Sequence, residues 1–405
     1  MDAVFWEWLN LGVRWTHLIA GIAWIGGSFY FVHTDSSLKR REGLPDGAGG
    51  ETWQVHGGGF YNLTKYLVAP ARMPEELTWF KWEAYATWLS GMALLALVYY
   101  LGAELYLIDK NVLDLPVWLA VLLSLLGLAG GWLAYDLLCK SPLGQDDLKL
   151  GIATLGFVIV LSFVFTFLFS ARGAFMEMGA LVGTIMAANV FLVIMPNQRK
   201  VVADLVAGRQ PDPTLGAQAK QRSLHNNYFT LAVLFVMIAN HYPLAFASRW
   251  NWLIFALILV IGAVIRHFYN TRHKGLPSPW WTWGVAAAGM VLVMLLSAAG
   301  PATTAEEAAA AVPPVPAAPV TFAQVEEVVL GRCSMCHAEV TGWEGVPVAP
   351  KGVMLDTPAR IHSYAHDIEL QAVRTHAMPP GNLTEITPEE RALLAAWIQA
   401  GAKIE

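Results

Sequence analysis

With 405 residues, of which 56% are hydrophobic and 14% charged, and with 17 tryptophans, the chain has the makeup of a polytopic membrane protein rather than a soluble domain. A formal charge of -5 excludes the basic excess of a general nucleic-acid binder, and three cysteines are too few for a disulfide-stapled scaffold.

A bilayer span needs about 20 predominantly apolar residues. Eight stretches meet that length, near 8–34, 80–106, 116–138, 150–171, 174–196, 226–246, 250–271 and 280–299. No Lys or Arg precedes the first stretch, which is longer than a signal-peptide core, so it reads as a retained span. Trp6, Trp8, Trp79, Trp82, Trp118, Trp250, Trp280 and Trp281 sit at the ends of these stretches, as headgroup anchors do.

Basic residues are divided unevenly between the two sets of loops. Lys39, Arg40, Arg41, Lys65, Arg72, Lys81, Lys140, Lys149, Arg199, Lys200, Arg209, Lys220, Arg222, Arg266, Arg272 and Lys274 fall on one side, and Lys110, Arg172 and Arg249 on the other. The first side is therefore expected to be cytoplasmic. Eight spans then put both termini outside, where thiols persist in oxidised or haem-bound form.

Polar groups inside the spans are costly and mark functional positions. They include Arg14, His17, Glu83, Asp136, Asn189, His225, Asn226, Asn227, His241, Arg266 and His267. Asp136, Arg266 and His267 lie near span ends, where a side chain reaches the interface by snorkelling. His17 lies too deep for that. With His241, at similar depth in the outer leaflet, it forms a candidate axial pair for a haem b, with Arg14 near the propionates; a hydrogen bond to a neighbouring helix is the alternative for either histidine. His17 and His33, like His225 and His241, are 16 residues apart. At about 100° per residue each pair falls on nearly opposite helix faces, which disfavours two haems stacked along one helix pair.

The segment 301–320 is rich in Ala and Pro and reads as a semi-rigid spacer. In the domain that follows, 321–405, Cys333-Ser-Met-Cys336-His337 is the attachment motif of a c-type haem: two thiols for the two vinyl groups and an adjacent imidazole under the iron. A thioredoxin-like thiol pair would need a βαβ context that is absent from the pattern. The loop His376-Ala-Met378-Pro-Pro-Gly381 offers Met378 as the sixth ligand, with Met354, His362, His366 and His376 as alternatives. A His/Met pair raises the potential relative to His/His. Thr387-Pro388-Glu389-Glu390 carries a helix-start signature, followed by Leu393, Leu394, Trp397 and Ile398 on one face. The expected fold is all-α: a polytopic membrane helix bundle over 1–300, a linker over 301–320 and a small cytochrome c domain over 321–405.

Three stretches carry a resemblance. They are Trp15-Thr-His17 to Gly27, His56-Gly-Gly-Gly-Phe-Tyr-Asn62 running on to Trp79-Phe-Lys81-Trp-Glu83 and Gly91, and His225-Asn-Asn-Tyr228 to Asn240-His241-Tyr-Pro243. Together they resemble the membrane-bound bacterial urate oxidases, in which such a bundle is fused to a cytochrome c. The first stretch is also similar to small haem-binding membrane families, which supports His17 as a ligand. The resemblance implies oxidation of urate to 5-hydroxyisourate at the inner membrane, with the N-terminus and the cytochrome c domain periplasmic. Electrons would leave through an intramembrane carrier and the fused haem c to a terminal oxidase or a soluble cytochrome c. For a planar urate anion it suggests Asn226 and Asn227 at the ring edges, Lys65 or Lys81 for the charge, and Glu83 or His56 as base. The competing readings are a haem-linked oxidoreductase for quinol or another small reductant, and a bundle that only anchors the haem domain.

Overall fold

The computed structural model describes residues 2–70, 72–301, 320–343 and 346–404. The spacer expected over 301–320 lies almost wholly outside the described residues.

The bundle opens with α1 (Asp2–Ser37), one long helix with few buried residues, whose Trp, Leu and Ile side chains face outward. Its basic-loop end meets a two-stranded antiparallel hairpin, β1 (Ala48–His56) and β2 (Gly59–Tyr66). This corrects the all-α expectation. Gly57 and Gly58 hold φ of 58° and 77°, so the Gly-rich stretch closes a two-residue turn that needs left-handed backbone. The hairpin folds back on α1, where Tyr30 Oη donates to Gln54 Oε1 at 2.9 Å and Gln54 Nε2 to Thr34 Oγ1 at 3.2 Å.

The second rod comprises α2 (Trp82–Leu94), a π-helical turn (Leu95–Tyr100) and the short α3 (Ala103–Tyr106). Then follow α4 (Val117–Lys140) and α5 (Asp147–Phe165). Next, α6 (Ala171–Ala188) runs through a π-helical turn (Asn189–Ile194) into α7 (Met195–Val206). The bundle ends with α8 (Pro213–Ala239), the single turn α9 (Pro243–Phe246), α10 (Asn251–His273) and α11 (Trp281–Ser297).

Among the described residues, five helices are long and apolar enough to cross a membrane: α1, α4, α5, the α6–α7 rod and α10. The other expected spans fall short for visible reasons. The second rod is interrupted at the π turn and Gly102, the first half of α8 is polar, and α11 has only 17 residues. The α6–α7 rod is the central post: Phe175, Met178, Leu181, Val182 and Ile185 are fully covered by neighbouring helices.

The C-terminal domain is built from α12 (Phe322–Arg332), α13 (Pro358–Ser363), α14 (Ala365–Ile368) and α15 (Pro388–Gln399). The helix start expected at Thr387 forms a capping box: Thr387 Oγ1 accepts from Glu390 N at 3.2 Å, and Glu390 Oε2 accepts from Thr387 N at 2.8 Å. Leu394 and Trp397 then pack on Val325, Val329 and Ile361. This domain rests on the bundle. Ala377 packs against the bundle core, and a Cβ added to Gly381 would lie 3.2 Å from the carbonyl oxygen of Ile108, just beyond α3.

Candidate functional site

The helix α12 ends at the thiol motif. Leu355 N donates to His337 O at 2.6 Å, and the imidazole Nδ1 of His337 lies 3.0 Å from Val353 O. A carbonyl can only accept, so Nδ1 carries the proton and the Nε2 lone pair is left for a metal. Burial pushes the Cys333 thiol up to about 12 and raises that of Cys336 as well. A catalytic redox pair shows the opposite, a lowered thiol. The loop bearing Met378 is anchored from α15, where Arg391 Nη1 donates to Met378 O at 3.0 Å and Nη2 to Asn382 Oδ1 at 3.3 Å. The donor set fits a covalently held haem: two thiols spaced for its two vinyl groups beside an imidazole whose Nε2 is free.

Within the bundle, α1, α2, α6 and α8 line a half-open, largely apolar cavity of about 190 Å³. Glycines 21, 91, 179 and 183 line its walls, with His17 and Arg14 from α1. His17 repeats the logic of His337: Nδ1 lies 2.9 Å from Thr87 O and 3.1 Å from Ser90 Oγ, and Nε2 has no hydrogen-bond partner among the described residues. Arg14, Tyr99 and Asn240 also line the cavity. Tyr99 Oη donates to Asn240 Oδ1 at 3.0 Å, and Arg172 Nε to the same oxygen at 2.9 Å. The free Nε2 of His17 and the Arg14 guanidinium are the groups here that could hold a metal-centred, carboxylate-bearing ligand. His241 is absent from the cavity lining. It follows the end of α8 on an exposed turn.

Toward the basic-loop end the polar groups form two clusters, and adjacent residues Asn226 and Asn227 belong to different ones because successive helical positions diverge by about 100°. In the first cluster Arg222 Nη2 meets Asp136 Oδ1 at 2.7 Å, and Lys140 Nζ meets Asp136 Oδ2 at 2.6 Å. Asn189, opening the π turn after α6, donates to Tyr135 Oη at 3.2 Å and to Asn226 Oδ1 at 3.0 Å. His225 Nδ1 is 2.7 Å from Tyr135 Oη, and Asn226 Nδ2 donates to Met186 O at 2.9 Å. This cluster satisfies itself.

The second cluster does not. Arg266 Nε donates to Asn227 Oδ1 at 3.2 Å and Nη2 to Asn270 Oδ1 at 3.1 Å, while the guanidinium lies 3.8 Å over the Phe29 ring. Asn227 Nδ2 is buried and has no partner among the described residues. The snorkelling expected of Asp136 and Arg266 is thus overturned, since both are buried and bonded inside the bundle. His267 does stay exposed.

The remaining candidates are scattered. His56 closes the exposed hairpin turn. Lys65 is engaged by Asp35 at 2.8 Å, so its charge is already neutralised. Lys81 lies 5.0 Å over the Trp82 ring, and Glu83 sits half-buried in the first turn of α2. Sequence reasoning passed over Tyr135, Arg222 and Asn270; the signal was their spacing, since Arg222 with Asn226 and Arg266 with Asn270 each stand four apart on one helix face.

A family model described as urate oxidase N-terminal matches residues 3–297, that is, the entire bundle. The chain belongs to that urate oxidase family. No curated protein and no solved structure matches it.

Proposed function

We propose that the protein is a membrane-bound urate oxidase that delivers electrons from urate to a haem c carried on the same chain. The observation that supports this reading is the joining of a urate oxidase bundle, residues 3–297, to a domain that carries the Cys333-x-x-Cys336-His337 pattern, with His337 Nδ1 held by Val353 O. An oxidase that hands electrons directly to oxygen has no use for such a built-in acceptor.

The reaction balances as urate plus water giving 5-hydroxyisourate, two protons and two electrons. Haem bound at His337 and Met378, and a haem b bound at His17, would supply one-electron steps between that two-electron oxidation and an external acceptor, a terminal oxidase or a soluble cytochrome c. The chain's own residues bind and orient. Thr87 and Ser90 fix the His17 tautomer, Arg14 offers charge to a carboxylate, and Arg391 holds the Met378 loop. With the shorter helices crossing beside the five long ones, the basic loops cytoplasmic and both termini periplasmic, the bundle would be a conduit across a hydrocarbon core of about 30 Å.

Anaerobic addition of urate to the purified protein tests this. The haem c absorbance should shift to the reduced form, and in air no hydrogen peroxide should accumulate. Peroxide released in step with urate consumed, with haem c left oxidised, would overturn it.

A further inference from the structure

Two deeply buried guanidiniums cross the basic-loop half of the bundle, and they are not alike. Arg222 has its counter-charge, Asp136, at 2.7 Å. Arg266 is equally buried, yet its partners are two amide oxygens and the Phe29 ring, with no carboxylate in contact among the described residues. A buried cation without an anion is costly unless something else brings the negative charge.

The groups around it lack acceptors too. Asn227 Oδ1 already receives Arg266 Nε and Asn270 Nδ2, the latter at 2.9 Å, while Asn227 Nδ2 is fully buried and has no acceptor among the described residues. Next to this lie His33 and His273, ring centroids 4.3 Å apart, each with a buried and unpartnered Nδ1. Phe29 and His33 are one turn apart on α1, and Arg266, Asn270 and His273 share one stripe of α10, so the five residues and Asn227 form a continuous strip between three helices.

We propose that this strip is the recognition site for the substrate anion: a planar, monoanionic oxopurine, urate itself. Its carbonyl oxygens and deprotonated ring nitrogen supply the acceptors that Arg266 and Asn227 Nδ2 lack, and its ring N–H groups can meet the imidazole nitrogens of His33 and His273. The inference rests on the urate-oxidase reading and adds to it the residues that select the substrate. An anionic lipid headgroup would meet the same charge, but it does not call for a buried amide donor or an aromatic wall.

The decisive variant is Asn270→Asp, nearly isosteric with the native side chain. It places the missing carboxylate beside Arg266 inside the protein, so the external anion becomes redundant. Losing one charge-assisted interaction predicts a Kd for urate, by calorimetry on the detergent-purified protein, weakened by about 10- to 100-fold. The KM for anaerobic haem c reduction should rise in parallel, with covalent haem c and the thermal midpoint retained. Arg266→Gln should do the same, and where that variant fails to fold, Asn270→Asp alone decides. Wild-type urate affinity and KM in Asn270→Asp would overturn the site while leaving the oxidase reading intact. Failure of urate to bind or reduce the wild-type protein would instead refute the oxidase reading. A variant that keeps its urate affinity but loses stabilisation by phosphatidylglycerol nanodiscs would mark a lipid site and also overturn the proposal.

Discussion

Asp136 shows what a buried ion pair does in this bundle. Its two oxygens are divided between Arg222 and Lys140, and its side chain is 9% exposed against 4% for Arg222. Removing one partner of such a pair leaves a buried charge uncompensated, at a cost of about 3 to 5 kcal/mol. Asp136→Asn should therefore lower the thermal stability of the detergent-purified protein markedly, as read by its unfolding midpoint; an unchanged midpoint would mean the cluster carries no such charge. The sequence alone puts Asp136 and Arg266 at the interface, because position along a span gives depth but not facing. Facing was encoded only in the four-residue spacings on α8 and α10, which acquire meaning once the helices are paired. In the C-terminal domain, by contrast, the helix start at Thr387 was legible because a capping box is a contiguous motif whose chemistry is local, as is the Cys333-x-x-Cys336-His337 pattern. Met378→Ala should accordingly keep haem c attached but lower its reduction potential. A potential equal to the wild-type value would remove Met378 as ligand.

At the scale of elements, the helices were legible because apolar runs of bilayer length admit few other folds. The hairpin was not. Its strands are short, carry exposed aromatics on both faces and gain stability by docking on α1, so the pattern alone did not separate them from a loop. Nor were the π-helical turns legible. Each adds a residue to a turn without disturbing an already apolar pattern, and the one at Asn189 aims that side chain at Tyr135 and Asn226. The cavity between α1, α2, α6 and α8 depends on small residues facing one another across helices that are far apart in sequence. Gly183 lines it, and a Cβ added there meets nothing within 4 Å. Gly183→Trp should therefore fill the space without forcing the helices apart. The expected result is loss of acid-extractable haem b with covalent haem c unaffected, and His17→Ala should match it. If both variants retain extractable haem in wild-type amount, the cavity does not hold one.

At the scale of the whole molecule, the sequence offers a semi-rigid Ala- and Pro-rich spacer but no seat for the C-terminal domain, and the structure places that domain against the end of the second rod. The loop that carries Met378 makes the contact, through Ala377 and Gly381. Beneath it, Tyr106 of α3 lies 6.2 Å from Tyr99 between ring centroids, and Tyr99 lines the cavity that holds His17. On the proposed function, the docked loop would put the C-terminal domain close to the cavity, which would help to divide a span of about 30 Å into smaller hops. Gly381 is suited to the seat because its φ of 54° favours glycine and because a Cβ would press on the Ile108 carbonyl. Gly381→Leu should lift the domain from the bundle. Urate-driven reduction of haem c should then slow about tenfold or more, while direct reduction by dithionite and the haem c potential stay at their wild-type values. The two controls separate docking from ligation, since a disturbed Met378 would move the potential. Should the variant reduce at the wild-type rate, the domain acts on its tether and the seat is dispensable.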